Sequence, residues 1–279
     1  MPRLTFLLAV SILLVHGLAP VALHAGAWSQ AKGRYYTKLS GIFYSADEAF
    51  DTQGNKGHLN NLNETFDSNQ SFFYMEYGLV DRLTILGQAN IGELISENDQ
   101  VRQSTTGIGD VDIGAKYQLT DGPLVLAPYA SLKLPTGYDT NNNPALGTGK
   151  ADLALRLLAA TSLHPVPVYL GAELGYRLRG SPFSNQIPYL FEVGVTPHQK
   201  LFTKVYLSGT NTLISDGGNT DAMDSMSMQV SEGDFTKVGF NAAVNAYGPV
   251  WVDFLYETIF TGKNTGAGTS LGIGLSLSR

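Results

Sequence analysis

Gly107 to Leu119 reads Gly-Ile-Gly-Asp-Val-Asp-Ile-Gly-Ala-Lys-Tyr-Gln-Leu, and its alternation decides the fold. Asp110, Asp112, Gly114, Lys116 and Gln118 fall on one parity; Val111, Ile113, Ala115, Tyr117 and Leu119 fall on the other. A period of two puts these sets on opposite faces of an extended strand. The same pattern recurs at 168–179, where Leu170, Ala172, Leu174, Tyr176 and Leu178 oppose Glu173, Arg177 and Arg179. It recurs again at 251–260, and at 270–278 Leu271, Ile273, Leu275 and Leu277 oppose only Ser and Gly. Helical spacing fits none of these segments.

Extended along the chain, the alternation predicts twelve strands: 34–45, 70–79, 82–94, 107–119, 123–135, 149–162, 166–179, 186–196, 200–211, 234–247, 250–261 and 268–278. Most are long enough for a tilted strand to cross a bilayer, which takes about 9–11 residues. The links alternate in length. Val80-Asp81, Thr120-Asp121-Gly122, Leu163-His164-Pro165, Pro197-His198-Gln199 and Gly248-Pro249 are turns, whereas 46–69, 95–106, 136–148, 180–185 and 212–233 are longer and polar. An even strand count with short turns on one side and long loops on the other predicts an all-β fold, a transmembrane antiparallel barrel of the bacterial outer membrane. Closure satisfies every backbone hydrogen bond, which an open sheet in lipid cannot do. A soluble β-sandwich would alternate too, but its core would not accept the charge, Ser, Asn and Gly of the polar parity.

The composition agrees. Charged residues are 15% of the 279, aromatics 10%, and the 31 glycines exceed the usual share of about 7%. A net charge of −6 speaks against a nucleic-acid partner. The absence of cysteine removes disulfides, thiolate metal sites and cysteine nucleophiles. Met1 to Ala25 combines Arg3, an apolar run from Leu4 to Val15 and the cleavage-type ending Leu23-His24-Ala25. It reads as an export signal: the run is shorter than the roughly 20 residues of a spanning helix, and Gly17 and Pro20 interrupt it. Two regions follow, a signal peptide 1–25 and a barrel 26–279.

With the apolar parity facing lipid, the polar parity lines the lumen. The expected lining is Arg34, Lys38, Glu76, Arg82, Asp110, Asp112, Lys116, Lys133, Asp152, Arg156, Glu173, Arg177, Glu192, Lys204, Asp253 and Glu257, with Lys150, Arg179 and Lys237 beside them. No charge is expected on the lipid face, where Arg or Lys at the midplane costs about 2–4 kcal/mol. Two readings stay open: a charged pore, or a ladder of cross-strand ion pairs that fills a narrow barrel, where long Arg and Lys side chains from facing walls close much of the lumen. The long loops are acidic, with Asp47, Asp51, Asp99, Asp139 and Glu232 among them. Tyr35, Tyr77 and Tyr117 toward one rim, and Phe43, Tyr176 and Phe260 toward the other, suit interfacial girdles.

Catalytic chemistry finds little support. Beyond the signal only His58, His164 and His198 occur, none on a predicted strand, and neither HExxH nor GxSxG with a wall histidine is present. Asp139, Asn141 and Asn143 mimic the start of a calcium loop, but Pro144 and Lys150 stand where glycine and glutamate belong. Asp216 to Asp221 is a similar case. No cofactor or metal is expected.

Three stretches, GAWSQAKGRYYTKL from Gly26, EYGLVDRLT from Glu76 and TGIGDVDIGAKYQL from Thr106, resemble a loose family of proteobacterial outer-membrane barrels. These are the XagA-like, or meta-pathway phenol-degradation transporter-like, proteins. The resemblance covers the first half of the exported chain and implies passage of small, hydrophobic or aromatic molecules across the outer membrane. Implied partners are outer-membrane lipid, the barrel-insertion machinery and a small-molecule substrate. Such barrels usually end in an aromatic residue, whereas this chain ends Leu277-Ser278-Arg279. The alternative function is a non-conducting structural or surface-exposed barrel.

Overall fold

The computed structural model describes residues 26–59, 63–213 and 232–279. The expected signal segment 1–25 therefore lies outside the described residues, as does the Asp216–Asp221 motif. Twelve long strands close into one antiparallel barrel. They are β1 (Tyr35–Ala46), β4 (Thr65–Val80), β5 (Leu83–Glu97), β6 (Arg102–Tyr117), β7 (Leu124–Leu134) and β8 (Asp152–Ser162), then β9 (Val168–Arg179), β10 (Gln186–His198), β11 (Leu201–Thr212), β12 (Asp234–Tyr247), β13 (Val250–Lys263) and β15 (Thr269–Ser278). Each pairs with its chain neighbours, and β1 closes the ring on β15 from Tyr36↔Ser278 to Ser45↔Thr269. Three short strands, β2 (Glu48–Phe50), β3 (Lys56–His58) and β14 (Thr265–Gly266), form a separate sheet from the long loops.

The outward parity forms a continuous apolar belt. Leu39, Ile113, Leu174 and Leu271 are 56, 56, 62 and 59% exposed, with Phe191, Phe254, Ile273 and Leu275 beside them. Water would not tolerate such a surface on a soluble monomer, whereas the hydrocarbon layer of a bilayer matches it.

Along the strands the structure departs from the sequence reading at several points. The expected loop 95–106 shrinks to the turn Asn98–Val101, because β5 and β6 continue above the belt as a polar hairpin. There Arg102 pairs with Glu97 at 2.8 Å, and the Asn98 side-chain oxygen accepts the Gln100 and Val101 N–H groups. Two carboxylates, Asp67 and Glu93, take the outward parity of Phe73 and Ile91; Glu93 stands level with Asn69 and Thr106 at the upper edge of the belt and Asp67 lies above it, where polar groups reach water. Finally, the β5–β6 register shifts between Ala89 and Ile91. This bulge turns both Gly109 and Asp110 inward and returns Ile108 to the outside, 53% exposed. A Cβ at position 109 would meet the Asn90 side-chain amide, which would have to move aside.

Candidate functional site in the barrel lumen

The inward parity of the strands carries the charges, and the backbone pleat sets which pairs meet. Lys38 on β1 reaches Asp253 on β13 at 3.2 Å, and Asp253 also accepts the Ser276 hydroxyl at 2.7 Å. Lys116 on β6 meets Glu76 on β4 at 3.2 Å. Lys133 on β7 bridges Asp110 and Asp152, each at 3.0 Å. Arg156 meets Glu173 at 3.3 Å, Lys204 meets Glu192 at 2.9 Å, and Lys237 meets Glu257 at 2.9 Å. Every one of these pairs joins adjacent strands or strands one apart in the ring. The ion pairs therefore run around the wall between neighbouring strands, as a cross-strand ladder does, and do not cross the lumen. Neighbouring strands sit about 4.8 Å apart, within easy side-chain reach, whereas opposite walls do not.

Two charges on this wall stand outside the ring of pairs. Arg177 donates to Gln186 Oε1 at 3.2 Å, and among the described residues neither it nor Asp112 forms an ion pair. Both line one cavity of about 310 Å³ with Glu76, Lys116, Arg156 and Glu173. A second cavity of about 330 Å³ is lined by Lys38, Lys204, Asp253, Tyr36 and Tyr206. The two share Gly26, Tyr74, Glu76 and Glu173.

Two expected lumen residues lie elsewhere. Arg34 precedes β1 and is exposed at the short-turn rim. Arg82 sits in the β4–β5 turn with a positive φ of 69° and pairs with Asp121 at the same rim, so the turn geometry aims it out of the barrel. Lys150 is likewise exposed, in the loop before β8. Arg179 does face inward, 3.9 Å from Asp152 and under the Phe183 ring.

The lumen is also not polar throughout. At the short-turn end the inward positions are Val125, Ala127, Leu158, Ala160, Phe202, Ala243 and Trp251, which form two apolar clusters. What covers them is residues 26–30, a segment that folds up inside the wall, while Ala31, Lys32 and Gly33 are exposed. Ala27 is fully buried against Val125, Ala127, Leu158 and Ala160. Trp28 stands edge-on to Tyr169 with centroids 5.6 Å apart, and Tyr169 stacks on Phe202. The polar groups of the segment are satisfied in turn. Thr84 Oγ1 accepts the Gln30 N–H at 2.8 Å, Gln30 Nε2 donates to Glu76 at 3.0 Å, and Gln118 accepts the Ser29 N–H at 3.0 Å. Lys116 Nζ donates to the Gly26 carbonyl at 2.9 Å. Gly78 lets the segment approach: a Cβ there would overlap the Ala31 carbonyl oxygen. The alternation of the strands carries no signal for this arrangement; the one visible hint is Trp28, a large apolar ring in an otherwise polar stretch.

At the long-loop end Ala49, Leu59, Phe66 and Leu94 form a third cluster, with Tyr44 and Leu146 packed on it. The 135–151 segment leans inward, and the Tyr138 hydroxyl donates to Asp110 at 2.5 Å. Burial, reinforced by that carboxylate, holds the Tyr138 phenol protonated well above the usual tyrosine range. The calcium-like stretch is an Asx turn, with Asp139 Oδ1 accepting from the Asn141 backbone and side-chain nitrogens at 2.9 Å. His58 lies exposed on β3 opposite Glu48, while Asp51 accepts hydrogen bonds from Gln53 and Asn55.

No protein-family model matches the chain, and no curated protein matches it by sequence. Solved structures do. The COG4313 outer membrane channel from Pseudomonas putida F1 superposes with a TM-score of 0.71 at 16% identity, over 94% of this chain and all of that one. The NanC porin gives 0.54 at 8% identity over 86% of this chain and 98% of its own, and the KdgM porin 0.52 at 7% over 87 and 99%. At such identities the likeness is one of fold: the chain is a transmembrane β-barrel built as outer-membrane channels and porins are built.

Proposed function

We propose that the protein is a passive channel of the bacterial outer membrane, passing small molecules through a narrow, charge-lined lumen. One observation carries this reading. The ion pairs run along the wall, leaving two cavities, each bordered by charged side chains, that meet at Gly26, Tyr74, Glu76 and Glu173. Tyr36 and Tyr74, an edge-on pair with centroids 6.2 Å apart, add ring faces beside those charges. Such a lining suits small solutes that carry both a ring and a polar group. The kinship with XagA-like and phenol-degradation transporter-like barrels belongs to the same proposal and rests on the three quoted motifs. So do export through the 1–25 signal and insertion by the barrel-insertion machinery into lipid.

The alternative, a closed structural barrel, draws on the narrowing at both ends: the 26–30 segment at one and the Ala49–Leu94 cluster at the other. Planar-bilayer recording separates the two. The channel reading expects discrete conductance steps from the purified protein and swelling of proteoliposomes in small aromatic acids. A silent, correctly folded barrel in both assays overturns it.

A further inference from the structure

Gly26 occupies an unusual place for a residue next to an expected cleavage site: it stands inside the lumen and borders both cavities. Its carbonyl accepts from Lys116. A Cβ built on it would lie 3.7 Å from Glu192 Oε1, and its nitrogen shares the same Cα, so that nitrogen lies within about 6 Å of the carboxylate. Glu192 is 4% exposed; its Oε2 takes Lys204 at 2.9 Å and its Oε1 the Tyr169 hydroxyl at 3.0 Å. Glu76 and Glu173 border the same space, opposed by Lys116, Lys204 and Arg156.

We propose that removal of residues 1–25 creates an α-ammonium within the lumen, that it pairs with Glu192, and that this pair holds Gly26–Gln30 across the pathway. In the precursor the Gly26 nitrogen is a neutral amide with one hydrogen to donate. Hydrolysis of the Ala25–Gly26 bond by water leaves a carboxylate on Ala25 and an amine on Gly26, which is protonated at neutral pH. The new charge donates up to three hydrogen bonds, and in a space screened from bulk water such charge-assisted bonds are about twice as strong as neutral ones. Signal processing then does more than release the chain: it supplies the cation that seats the plug. An extension left on that nitrogen removes the charge and takes up lumen volume.

The inference rests on the channel reading and on cleavage after Ala25, and the test keeps these apart. The full chain is expressed with its signal in a Gram-negative host and purified from outer membranes. Beside it go three variants: Ala-Ser inserted between Ala25 and Gly26, Glu192→Gln, and deletion of Gly26–Gln30. Heat-shifted gel mobility establishes that each barrel is folded, intact mass gives the first residue, and bilayer recording gives the conductance. The expected wild-type mass begins at Gly26, and both the insertion and Glu192→Gln raise mean conductance at least threefold, toward the deletion's value. A folded wild type beginning elsewhere overturns the inference. So does wild-type conductance in the insertion and Glu192→Gln while the deletion opens the pore, a result that leaves the channel reading standing. If the deletion also changes nothing, the segment does not gate the pathway and the inference falls; the channel reading falls with it only if the folded wild type is silent.

Discussion

Replacing Lys116 with methionine isolates the most buried charge pair of the lumen. Lys116 and Glu76 are each 2% exposed, and Lys116 Nζ makes three contacts: 2.9 Å to the Gly26 carbonyl and 3.2 and 3.3 Å to the Glu76 oxygens. Removing one member of a fully buried pair costs about 3–5 kcal/mol, because the other charge is left without compensation. Here Glu76 keeps two donors, the Tyr74 hydroxyl at 2.6 Å and Gln30 Nε2 at 3.0 Å. Each hydrogen bond to a charged group is worth about 1.5–3 kcal/mol, so the expected loss falls to about 2–3 kcal/mol. The assay is equilibrium unfolding in detergent micelles with guanidinium, followed by tryptophan fluorescence. The two tryptophans, Trp28 in the plug and Trp251 on the wall, report on separate parts. Combining Lys116→Met with Glu76→Gln removes the stranded charge: the new amide oxygen can accept from Gln30 Nε2 while the amide NH2 donates to the Tyr74 hydroxyl, so the double variant should recover at least half the loss. A single variant that loses less than about 0.5 kcal/mol, well under the 3–5 kcal/mol of a stranded buried charge, would refute the reasoning, since it would mean that water reaches Glu76 and replaces the ammonium at no cost.

Gly78→Ala forces the Ala31 backbone aside, so the barrel should keep its heat-shifted gel mobility while single-channel conductance rises several-fold; unchanged conductance would place residues 26–30 off the pathway. Arg177→Ala removes a cation that no carboxylate among the described residues pairs with and leaves Asp112 and Glu173 beside the cavity, so the reversal potential in a KCl gradient should move toward cation preference, and an opposite shift would contradict the lining. The cysteine-free chain allows topology mapping: Asn142→Cys should react with an impermeant maleimide on intact cells and Asp121→Cys only after the outer membrane is opened, the reverse pattern inverting the barrel. Asp51, in the β2–β3 turn, accepts hydrogen bonds from the Asn55 side chain and from backbone N–H groups, which hold its carboxyl below the ordinary aspartate value. A folded value below the unfolded one stabilises the turn at higher pH and loses that stabilisation as pH falls through the folded value. A carbon-13 titration with a midpoint at or above about 3.9 would contradict this.

The alternation of residues such as Asp110 to Leu119 and Leu271 to Leu277 was enough to determine a twelve-stranded barrel, because a strand's two faces meet two solvents and the pleat repeats every two residues. The placement of Lys38, Glu76, Lys133, Arg156 and Asp253 on the inner wall follows from the same parity. Parity says which face a residue takes and nothing about its height or partner. Arg34 and Arg82 have the right parity but stand at the rim, where the chain is already turning. Whether charges pair along the wall or across it depends on strand register and barrel diameter, and both are set by closure of the whole ring. The Gly109–Asp110 bulge and the Gly26–Gln30 plug lie further still from any local signal. The plug is held by contacts between residue 27 and residues 125–160, and such contacts exist only once the barrel has closed around a space for it.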